Sequence, residues 1–438
     1  MKITLIGAGS TVFARNLIGD FLSDPSLSQA TIALYDIDPV RLSETERVAL
    51  KLYESLGLAP RLEITMNLRE ALEGADSVLF LFQVGGYKPS TIIDFEVPKS
   101  FDLRQTIADT IGIGGIMRAL RSIPVFLKIC SIIEELCPHA LILNYVNPMA
   151  MNCMAMQQRF PNLKILGLCH SVQETIAKIA VDLGRPGEEL DFLCAGINHM
   201  SFFLRIQDME SKDLYPDLKA IAHSNDVPEN DLVRYEVLKH LGFFVTESSE
   251  HFAEYVPWFI KRGRRDLIEK FKIPLDEYPR RCEEQIQQWN LLRDRLEEGD
   301  VNLEITQSSE YAASILKAYF FNGSCTVNAN IVNRGLIDEL PKDACVEVPC
   351  KISGNLIEPS VIHEFPQHLA ALVNTNVAVQ RLTVKGSLDR HLDSVYYAAY
   401  MDPHTAAELS LAEIKELVDQ LIESHGDWIP TQIGRAHV

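Results

Sequence analysis

The first 150 residues alternate between short apolar runs and stretches whose apolar residues recur at helical spacing. The apolar runs predict five strands: KITLIGA, TIALYDID, LEITMN, DSVLFLFQVGG and ALILNYVNP. The stretches between them predict helices over TVFARNLIGDFLSD, PVRLSETERVALKLYESLG, LREALEGA and IMRALRSIPVFLKICSIIEELCP. Strands that are apolar along nearly their whole length are typical of a parallel sheet covered by helices on both faces.

The pattern changes after residue 150. LKILGLCH predicts a sixth strand, LDFLCAGINHMSFFLRI predicts antiparallel strands, and polar helical patterns dominate 230–300 and 365–425. The predicted fold class is therefore α/β, a Rossmann-type parallel sheet followed by a second, α+β domain. The boundary falls near 150, or near 195 if the sixth strand is counted, and we assign residues 1–195 and 196–432 to the two domains.

The last residues form a separate segment. The string IGRAHV is what the start of a common sequencing adaptor would encode in this frame. We therefore expect 433–438 to be a non-native tail without a function.

Charge and composition narrow the class of partner. The chain has 438 residues and a formal net charge of −19, so its surface repels nucleic acid and anionic membranes. No apolar run reaches the roughly 18 residues that span a bilayer, and the apolar start is too short for a signal peptide. The nine cysteines lack paired spacing, which favours free thiols in a reducing, cytoplasmic environment. These features predict a small-molecule partner, without nucleic acid or membrane.

A glycine loop suggests a dinucleotide site. GAGST follows the first predicted strand and opens a helix, where glycines let the backbone approach a pyrophosphate and the helix N-terminus attracts it. This predicts NAD binding at Gly7, Gly9, Ser10 and Thr11. Val12 stands where a third glycine would be, so a tight turn in some other α/β protein remains open.

An acidic residue supports the same interpretation. Asp36 ends the second predicted strand, 29 residues after Gly7, where a carboxylate accepts both ribose hydroxyls and selects NAD over NADP. Asp38 is a competitor for this role, although Asp38–Pro39 also has the pattern of a helix cap. Both assignments can hold, with Asp36 on the ribose and Asp38 on the helix.

Two residues could form half of a metal site. Cys169 and His199 are 30 residues apart, and each lies in or at the end of a predicted strand. A thiolate and an imidazole that converge would bind a divalent cation and leave positions open. The alternatives are an inert core thiol and a buried histidine with ordinary partners. The softness of the two donors would favour zinc, nickel or cobalt.

Six motifs in order, GAGST, QVGGY, DTIGIGG, NYVNPMA, CHSV and GINHM, resemble glycoside hydrolase family 4 along nearly the whole chain. Its CHEV form goes with α-glucosidases and α-galacturonidases, whereas CHSV resembles the α-galactosidases. The resemblance implies an NAD- and divalent-metal-dependent hydrolase of α-galactosides such as melibiose. Manganese is the usual ion, and the active form is a homo-oligomer, a dimer or tetramer.

The resemblance also implies roles for individual residues. Cys169 and His199 carry over as metal ligands and Asn147 as a substrate contact. Tyr255 falls at the position of the catalytic base, and Asp109 at that of an acid which raises its basicity. His170 replaces an aspartate that acts as acid in phosphosugar members. The implied reaction is transient oxidation at C3, deprotonation at C2 and 1,2-elimination, in contrast to the usual pair of carboxylates.

Three alternatives stay open. The first is an NAD dehydrogenase of the lactate/malate dehydrogenase-like superfamily, to which the predicted fold belongs. The second is a catalytically silent NAD-binding regulator. The third is α-glucosidase or α-galacturonidase activity within the family, where a uronate would need a cation such as Arg280, Arg281 or Lys88.

Overall fold

The protein is described by a computed structural model over residues 1–297, 308–321 and 323–430. The predicted tail, 433–438, lies outside these residues. Within them, all strands join one twelve-stranded sheet in the order β3-β2-β1-β4-β5-β6-β10-β11-β7-β8-β9, and β12 pairs with β11.

The first six strands form the parallel half of the sheet. They are β1 (Lys2–Ile6), β2 (Thr31–Tyr35), β3 (Leu62–Thr65), β4 (Ser77–Phe80), β5 (Leu141–Asn144) and β6 (Lys164–Gly167). The helices between and after them are α1 (Thr11–Ser23), α2 (Pro39–Ser55), α3 (Leu68–Leu72), α4 (Ile92–Ser100), α5 (Gly112–Leu136), α6 (Met149–Arg159) and α7 (Ser171–Asp182). The order 3-2-1-4-5-6 is that of a Rossmann fold, which confirms the predicted fold class.

The second half adds antiparallel strands. They are β7 (Asp191–Ile197), β8 (Met200–Gln207), β9 (Phe244–Val245), β10 (Cys325–Val332), β11 (Cys345–Ser353) and β12 (Leu356–Pro359). The predicted antiparallel pair is β7 and β8, whereas the strands within 325–359 are not predicted from the sequence pattern. Pairing of Gly167 in β6 with Asn330 in β10 joins the two halves. Because the sheet is continuous, the division into 1–195 and 196–432 stays a prediction.

The remaining helices belong to the second half of the chain, and α14 to α17 pack against α4, α5 and α6 of the first half. They are α8 (Tyr215–Ala222), α9 (Leu232–Leu241), α10 (Ser249–Ala253), α11 (Arg265–Lys270), α12 (Glu277–Glu297), α13 (Ala312–Phe320), α14 (Gln367–Asp389), α15 (Leu392–Met401), α16 (Pro403–Glu408) and α17 (Leu411–His425). The polar helical pattern over 230–300 predicts long helices, and this prediction is wrong up to residue 276, where α9, α10 and α11 are short. Gly242, with a left-handed φ of 81°, ends α9 and leads into the short strand β9.

Burial explains the sequence pattern of the central strands. Every residue of β4 and β5 is buried, as expected for strands with helices on both faces. The carboxyl ends of β1, β4, β5 and β6 meet at one edge of the sheet, because these strands are parallel. Ligands of open α/β sheets bind in the crevice at this edge. Among the described residues, no helix is long and apolar enough to cross a bilayer.

Candidate active site

The glycine loop is packed too tightly for side chains. Gly7 has a φ of +88°, and a Cβ there would lie 2.6 Å from the backbone nitrogen of Phe82. A Cβ on Gly9 would lie 2.7 Å from Asp36 Oδ2, which accepts a 2.7 Å hydrogen bond from the Gly9 N–H. Ser10 is the N-cap of α1, and Thr11 is the first residue of that helix. The loop therefore opens a helix beside a carboxylate, as a dinucleotide site requires.

The two candidate aspartates do different things. Asp38 Oδ1 accepts hydrogen bonds from the N–H groups of Val40 and Arg41, so Asp38 caps α2. Asp36 instead bonds the glycine loop, and its Oδ1 accepts from the Asp38 N–H at 2.9 Å. This geometry keeps the half-buried Asp36 carboxylate at the end of β2.

Strand ends bring the other candidates together. Asn147 follows β5 and Cys169 follows β6, which are neighbours in the sheet. His199 lies in the two-residue turn between β7 and β8 with a φ of 65°. The adjacent Asn198 is fully buried, and neither of its amide atoms has a hydrogen-bond partner among the described residues. Unpaired buried amide atoms are unusual, and they accord with a site built for a ligand.

Cys169, His199 and Glu247 each place one potential ligand atom within 4.8 Å of the others. His199 Nε2 lies 3.2 Å from Glu247 Oε2, and Cys169 Sγ lies 3.9 Å from the same oxygen. Burial, together with Glu247 and Glu347, raises the pKa of the Cys169 thiol well above its ordinary value. A thiolate at this position therefore needs a nearby cation.

A second group shares His199. Ligand atoms of Asp109, His199 and His251 also lie within 4.8 Å of one another. Burial raises the pKa of Asp109, but Arg118, His199 and His251 outweigh it and hold this pKa below its usual value. Burial lowers the pKa of His199, so its imidazole is neutral near pH 7, as a metal ligand must be. Asn147 Nδ2 donates to Asp109 Oδ2 at 3.2 Å.

Tyr255 completes the cluster. Its hydroxyl lies 2.9 Å from His199 Nδ1, and the residue is fully buried. Burial and the anionic groups of Glu254, Asp109, Glu247 and Cys169 raise the pKa of Tyr255 well above 10. A phenolate here would be a strong base, and it would form only when positive charge is nearby.

His170 is more exposed than these groups. Its side chain is about half exposed, with Nδ1 3.6 Å from Glu310 Oε1 and Nε2 3.7 Å from Glu174 Oε2. Sequence reasoning did not single out Glu247 and His251. Glu247, His251 and Tyr255 are spaced four residues apart, and this periodicity could have indicated that they share one face around α10.

Fold and site together define a class: a Rossmann-type α/β enzyme whose crevice holds a thiol, an imidazole and a tyrosine beside a dinucleotide-type loop. Residues 2–184 match the family described as Family 4 glycosyl hydrolase, and residues 194–405 match the Family 4 glycosyl hydrolase C-terminal domain. The chain therefore belongs to glycosyl hydrolase family 4, which confirms the predicted family. It is a glycoside hydrolase, not a dehydrogenase of related fold.

Two relatives extend over nearly the whole chain. An α-galactosidase of Bacillus subtilis (strain 168) is 46% identical over 98% of this chain and 99% of its own length. An α-galactosidase of Rhizobium meliloti (strain 1021) is 33% identical over 98% of this chain and 89% of its own length.

Solved structures agree with the fold. A 6-phospho-α-glucosidase from gut microorganisms, in complex with NAD and Mn²⁺, has a TM-score of 0.82 at 21% identity, covering 98% of this chain and 99% of its own. Malate dehydrogenase from Plasmodium falciparum in complex with NADH has a TM-score of 0.51 at 14% identity, covering 89% and 99%. The second similarity agrees with the predicted Rossmann-type fold.

Proposed function

We propose that this glycoside hydrolase is an NAD- and divalent-metal-dependent α-galactosidase that hydrolyses α-galactosides such as melibiose. The observation that carries the proposal is that one buried imidazole, His199, contacts both the Tyr255 hydroxyl and the Cys169–Glu247 group. The choice of sugar is supported by the 46% identity to the Bacillus subtilis α-galactosidase and by the CHSV motif. We also propose a homo-oligomer, a dimer or tetramer, in the cytoplasm.

The glycine loop fits NAD. Gly7 and Gly9 leave no room for a Cβ, and the α1 N-terminus follows directly. NAD would lie on Gly7, Gly9, Ser10 and Thr11, and Asp36 would accept the ribose hydroxyls. The fold relative that was solved with NAD and Mn²⁺ supports the same pair of cofactors.

The buried cluster fits a divalent cation. Cys169 offers a sulfur and His199 a neutral imidazole nitrogen, and a bound cation would offset the raised pKa of the thiol. We propose manganese as the ion. Sugar hydroxyls and water would complete its shell with the oxygen donors that manganese prefers.

When bound, NAD supplies a reversible hydride acceptor for C3 of galactose, and the cation supplies a Lewis acid for the C2 and C3 oxygens. Tyr255 removes the C2 proton, which the adjacent carbonyl has made acidic, and the imidazole of His199 holds the phenol oxygen in place. Asp109 raises the basicity of Tyr255, and Asn147 contacts the sugar while it holds Asp109. His170 donates a proton to the departing aglycone oxygen. Water would then add at C1 and Tyr255 would return the proton to C2. Because the hydride acceptor is reversible, C3 would regain its hydride, and the product would be galactose.

Ion pairing disfavours a uronate substrate. Arg280 and Arg281 both donate to Glu277, and Arg281 also bonds Glu250, so these guanidinium groups already have carboxylate partners. Lys88 is exposed, with its ammonium 5.5 Å from the Tyr87 ring centroid. The two arginines considered for a uronate therefore give no support to α-galacturonidase activity.

A release assay tests the proposal. Purified enzyme is given the p-nitrophenyl glycosides of α-galactose, α-glucose and α-galacturonate, with and without NAD, Mn²⁺ and thiol. We expect release from the α-galactoside alone, only with both cofactors, and solvent deuterium at C2 of the released galactose. Cleavage after removal of NAD and metal, or galactose without deuterium, would contradict the mechanism. Preference for another glycoside would contradict the assigned sugar.

A further inference from the structure

We propose that Glu247 is a third protein ligand of the divalent cation, together with Cys169 and His199. The inference rests on the metal site of the proposed function and adds a residue to it. Neither the sequence motifs nor the spacing of Cys169 and His199 indicated this carboxylate.

The distances are those of ligands that share one ion. A cation at about 2.0–2.3 Å from its nitrogen, oxygen and sulfur ligands places neighbouring ligand atoms roughly 3–4 Å apart. Glu247 Oε2 lies 3.2 Å from His199 Nε2 and 3.9 Å from Cys169 Sγ. A single carboxylate oxygen therefore faces both of the other donors at the expected separation.

The second oxygen of Glu247 is already held. Oε1 accepts a 3.2 Å hydrogen bond from the Ser248 N–H and lies 3.4 Å from His251 Nδ1. Because Oε1 is fixed from the other side, Oε2 is aimed at the thiol and imidazole. Ligating carboxylates are commonly oriented by hydrogen bonds in this way.

The charges around Glu247 also favour a bound cation. Among the ion pairs of the described residues, Glu247 has only the imidazoles of His199 and His251 as partners, and no lysine or arginine. The Cys169 thiolate and the Glu247 carboxylate together carry two negative charges, which a divalent cation neutralises. The Glu247 side chain is 14% exposed, and a largely buried carboxylate without a lysine or arginine partner costs free energy unless a cation is nearby.

Ligand hardness gives an independent reason. A site with only a thiolate and an imidazole favours zinc, nickel or cobalt, whereas a carboxylate oxygen suits manganese. Glu247 therefore supplies from the protein itself the hard donor that the Cys169–His199 pair lacks.

A role confined to orienting His199 is the main competing explanation. In that case Glu247 would only accept the Nε2–H, and the cation would bind Nδ1. Nδ1, however, lies 2.9 Å from the Tyr255 hydroxyl, on the side of the ring away from Glu247. Ligation through Nε2 uses the nitrogen that faces Cys169 and Glu247.

Mn²⁺ affinity separates these cases. The metal-stripped full-length enzyme with NAD is titrated with Mn²⁺ by calorimetry, for wild type, Glu247→Gln, Glu247→Asp and Cys169→Ser. The control is Glu250→Gln, three residues away, which pairs with Arg281 outside the cluster. We expect Glu247→Gln to weaken Mn²⁺ binding roughly 100-fold or more and to shift selectivity toward Zn²⁺, while Glu250→Gln binds as wild type. We expect Glu247→Asp, which keeps the carboxylate, to bind more tightly than Glu247→Gln.

In Glu247→Gln the side chain keeps an oxygen that can accept the His199 Nε2–H. If Glu247 only orients His199, the Mn²⁺ affinity of this variant should therefore be nearly unchanged. Mn²⁺ affinity of Glu247→Gln within about twofold of wild type, with Cys169→Ser deficient, overturns the inference and leaves the proposed metal site standing. Wild-type affinity in Cys169→Ser overturns the metal site itself. NAD affinity and circular dichroism show whether each variant is folded. If Glu247→Gln does not fold, Glu247→Asp decides, because its carboxylate is one methylene shorter. Mn²⁺ binding that is weaker than in wild type would support a carboxylate ligand, and wild-type affinity would overturn it.

Discussion

At the scale of single residues, His199 connects the two functions of the site. Its Nδ1 contacts the Tyr255 hydroxyl and its Nε2 faces Glu247, so one ring bridges the proposed base and the proposed cation site. Its left-handed φ of 65° is uncommon for a non-glycine residue, and the turn between β7 and β8 imposes it. A displacement of this turn would therefore disturb proton transfer and cation binding together.

Tyr255→Phe tests the proposed base. The change removes the hydroxyl that takes the C2 proton but keeps the buried ring, so we expect kcat to fall roughly 100- to 10,000-fold with little loss of stability. Mn²⁺ affinity should stay close to that of wild type. Steady-state kinetics and deuterium incorporation at C2 measure the effect. Tyr235→Phe is a matched control, because its buried hydroxyl bonds Asp182. A Tyr255→Phe enzyme with wild-type kcat would exclude the tyrosine as base.

At the scale of elements, the parallel half of the fold was predictable and part of the antiparallel half was not. Strands β1 to β6 are apolar runs between amphipathic helices, so local pattern suffices to identify them. Strands β10 and β11 carry polar residues inside their span, such as Asn328, Asn330 and Glu347. These side chains are buried because they bond distant groups: Asn328 donates to the Cys194 carbonyl, and Glu347 accepts from Ser201. Hydrogen bonds between groups so far apart in sequence cannot be inferred from local periodicity.

Local sequence pattern also predicts only part of the candidate site. The glycine loop and Asp36 follow from strand ends and spacing, since both lie in one βαβ unit. The proximity of Cys169, His199 and Tyr255 depends on β6 and the β7–β8 turn lying at the same part of the sheet. Their places in predicted strands suggested the Cys169–His199 pair, and the family resemblance assigned Tyr255 to the same site. Glu247 was missed because its four-residue spacing from His251, and that of His251 from Tyr255, does not by itself show that the shared face is turned into the site.

The loop before α5 provides a prediction at this scale. The buried Glu254 carboxylate accepts hydrogen bonds from the N–H groups of Thr106, Ile107 and Ala108 at 2.8, 3.2 and 2.8 Å. These bonds hold the segment that positions Asp109, in which Ala108 has a left-handed φ of 54°. Glutamine offers one acceptor oxygen, and its amide would meet a backbone N–H. We expect Glu254→Gln to lower the free energy of unfolding by about 1–3 kcal/mol and kcat by at least about tenfold.

Urea denaturation and steady-state kinetics test this expectation. Glu250→Gln serves as the control, since Glu250 precedes the same tyrosine but pairs with Arg281 near the surface. Unchanged stability and kcat in Glu254→Gln would show that these hydrogen bonds do not hold the Asp109 segment.

At the scale of the whole molecule, the continuous sheet makes the site a product of both halves. Cys169 follows β6, the last parallel strand, and His199 lies in a turn of the antiparallel part. The two parts are joined by the β6–β10 and β11–β7 pairings. The geometry of the cation site is therefore sensitive to the pairing of strands far apart in sequence. Changes that loosen the sheet junction should weaken the cation site before they unfold either part.

The stability of the molecule should also depend on one buried histidine in a helix outside the sheet. His404 in α16 is 3% exposed, and burial together with the charge of Lys261 lowers its pKa to about 4. The ordinary pKa of histidine is about 6.5. Between pH 4 and pH 6.5 the unfolded chain binds a proton at His404 that the folded protein does not bind. The free energy of unfolding therefore has its full value above pH 6.5 and decreases as the pH falls toward 4. At pH 5 the loss is about 2 kcal/mol.

Other buried groups act in the opposite direction. Burial raises the pKa of Glu254 and Glu347 to about 7 and that of Asp402 to about 6, so these carboxyls favour the folded state as the pH falls. The total pH dependence therefore does not isolate His404, but a comparison with a variant does. We expect His404→Gln to lose about 2 kcal/mol less than wild type between pH 7.5 and pH 5, measured by urea denaturation at both pH values. His240→Gln, which changes an exposed histidine, should follow wild type. If His404→Gln also follows wild type, His404 binds its proton equally in the folded and unfolded chain, and the acid sensitivity has another source.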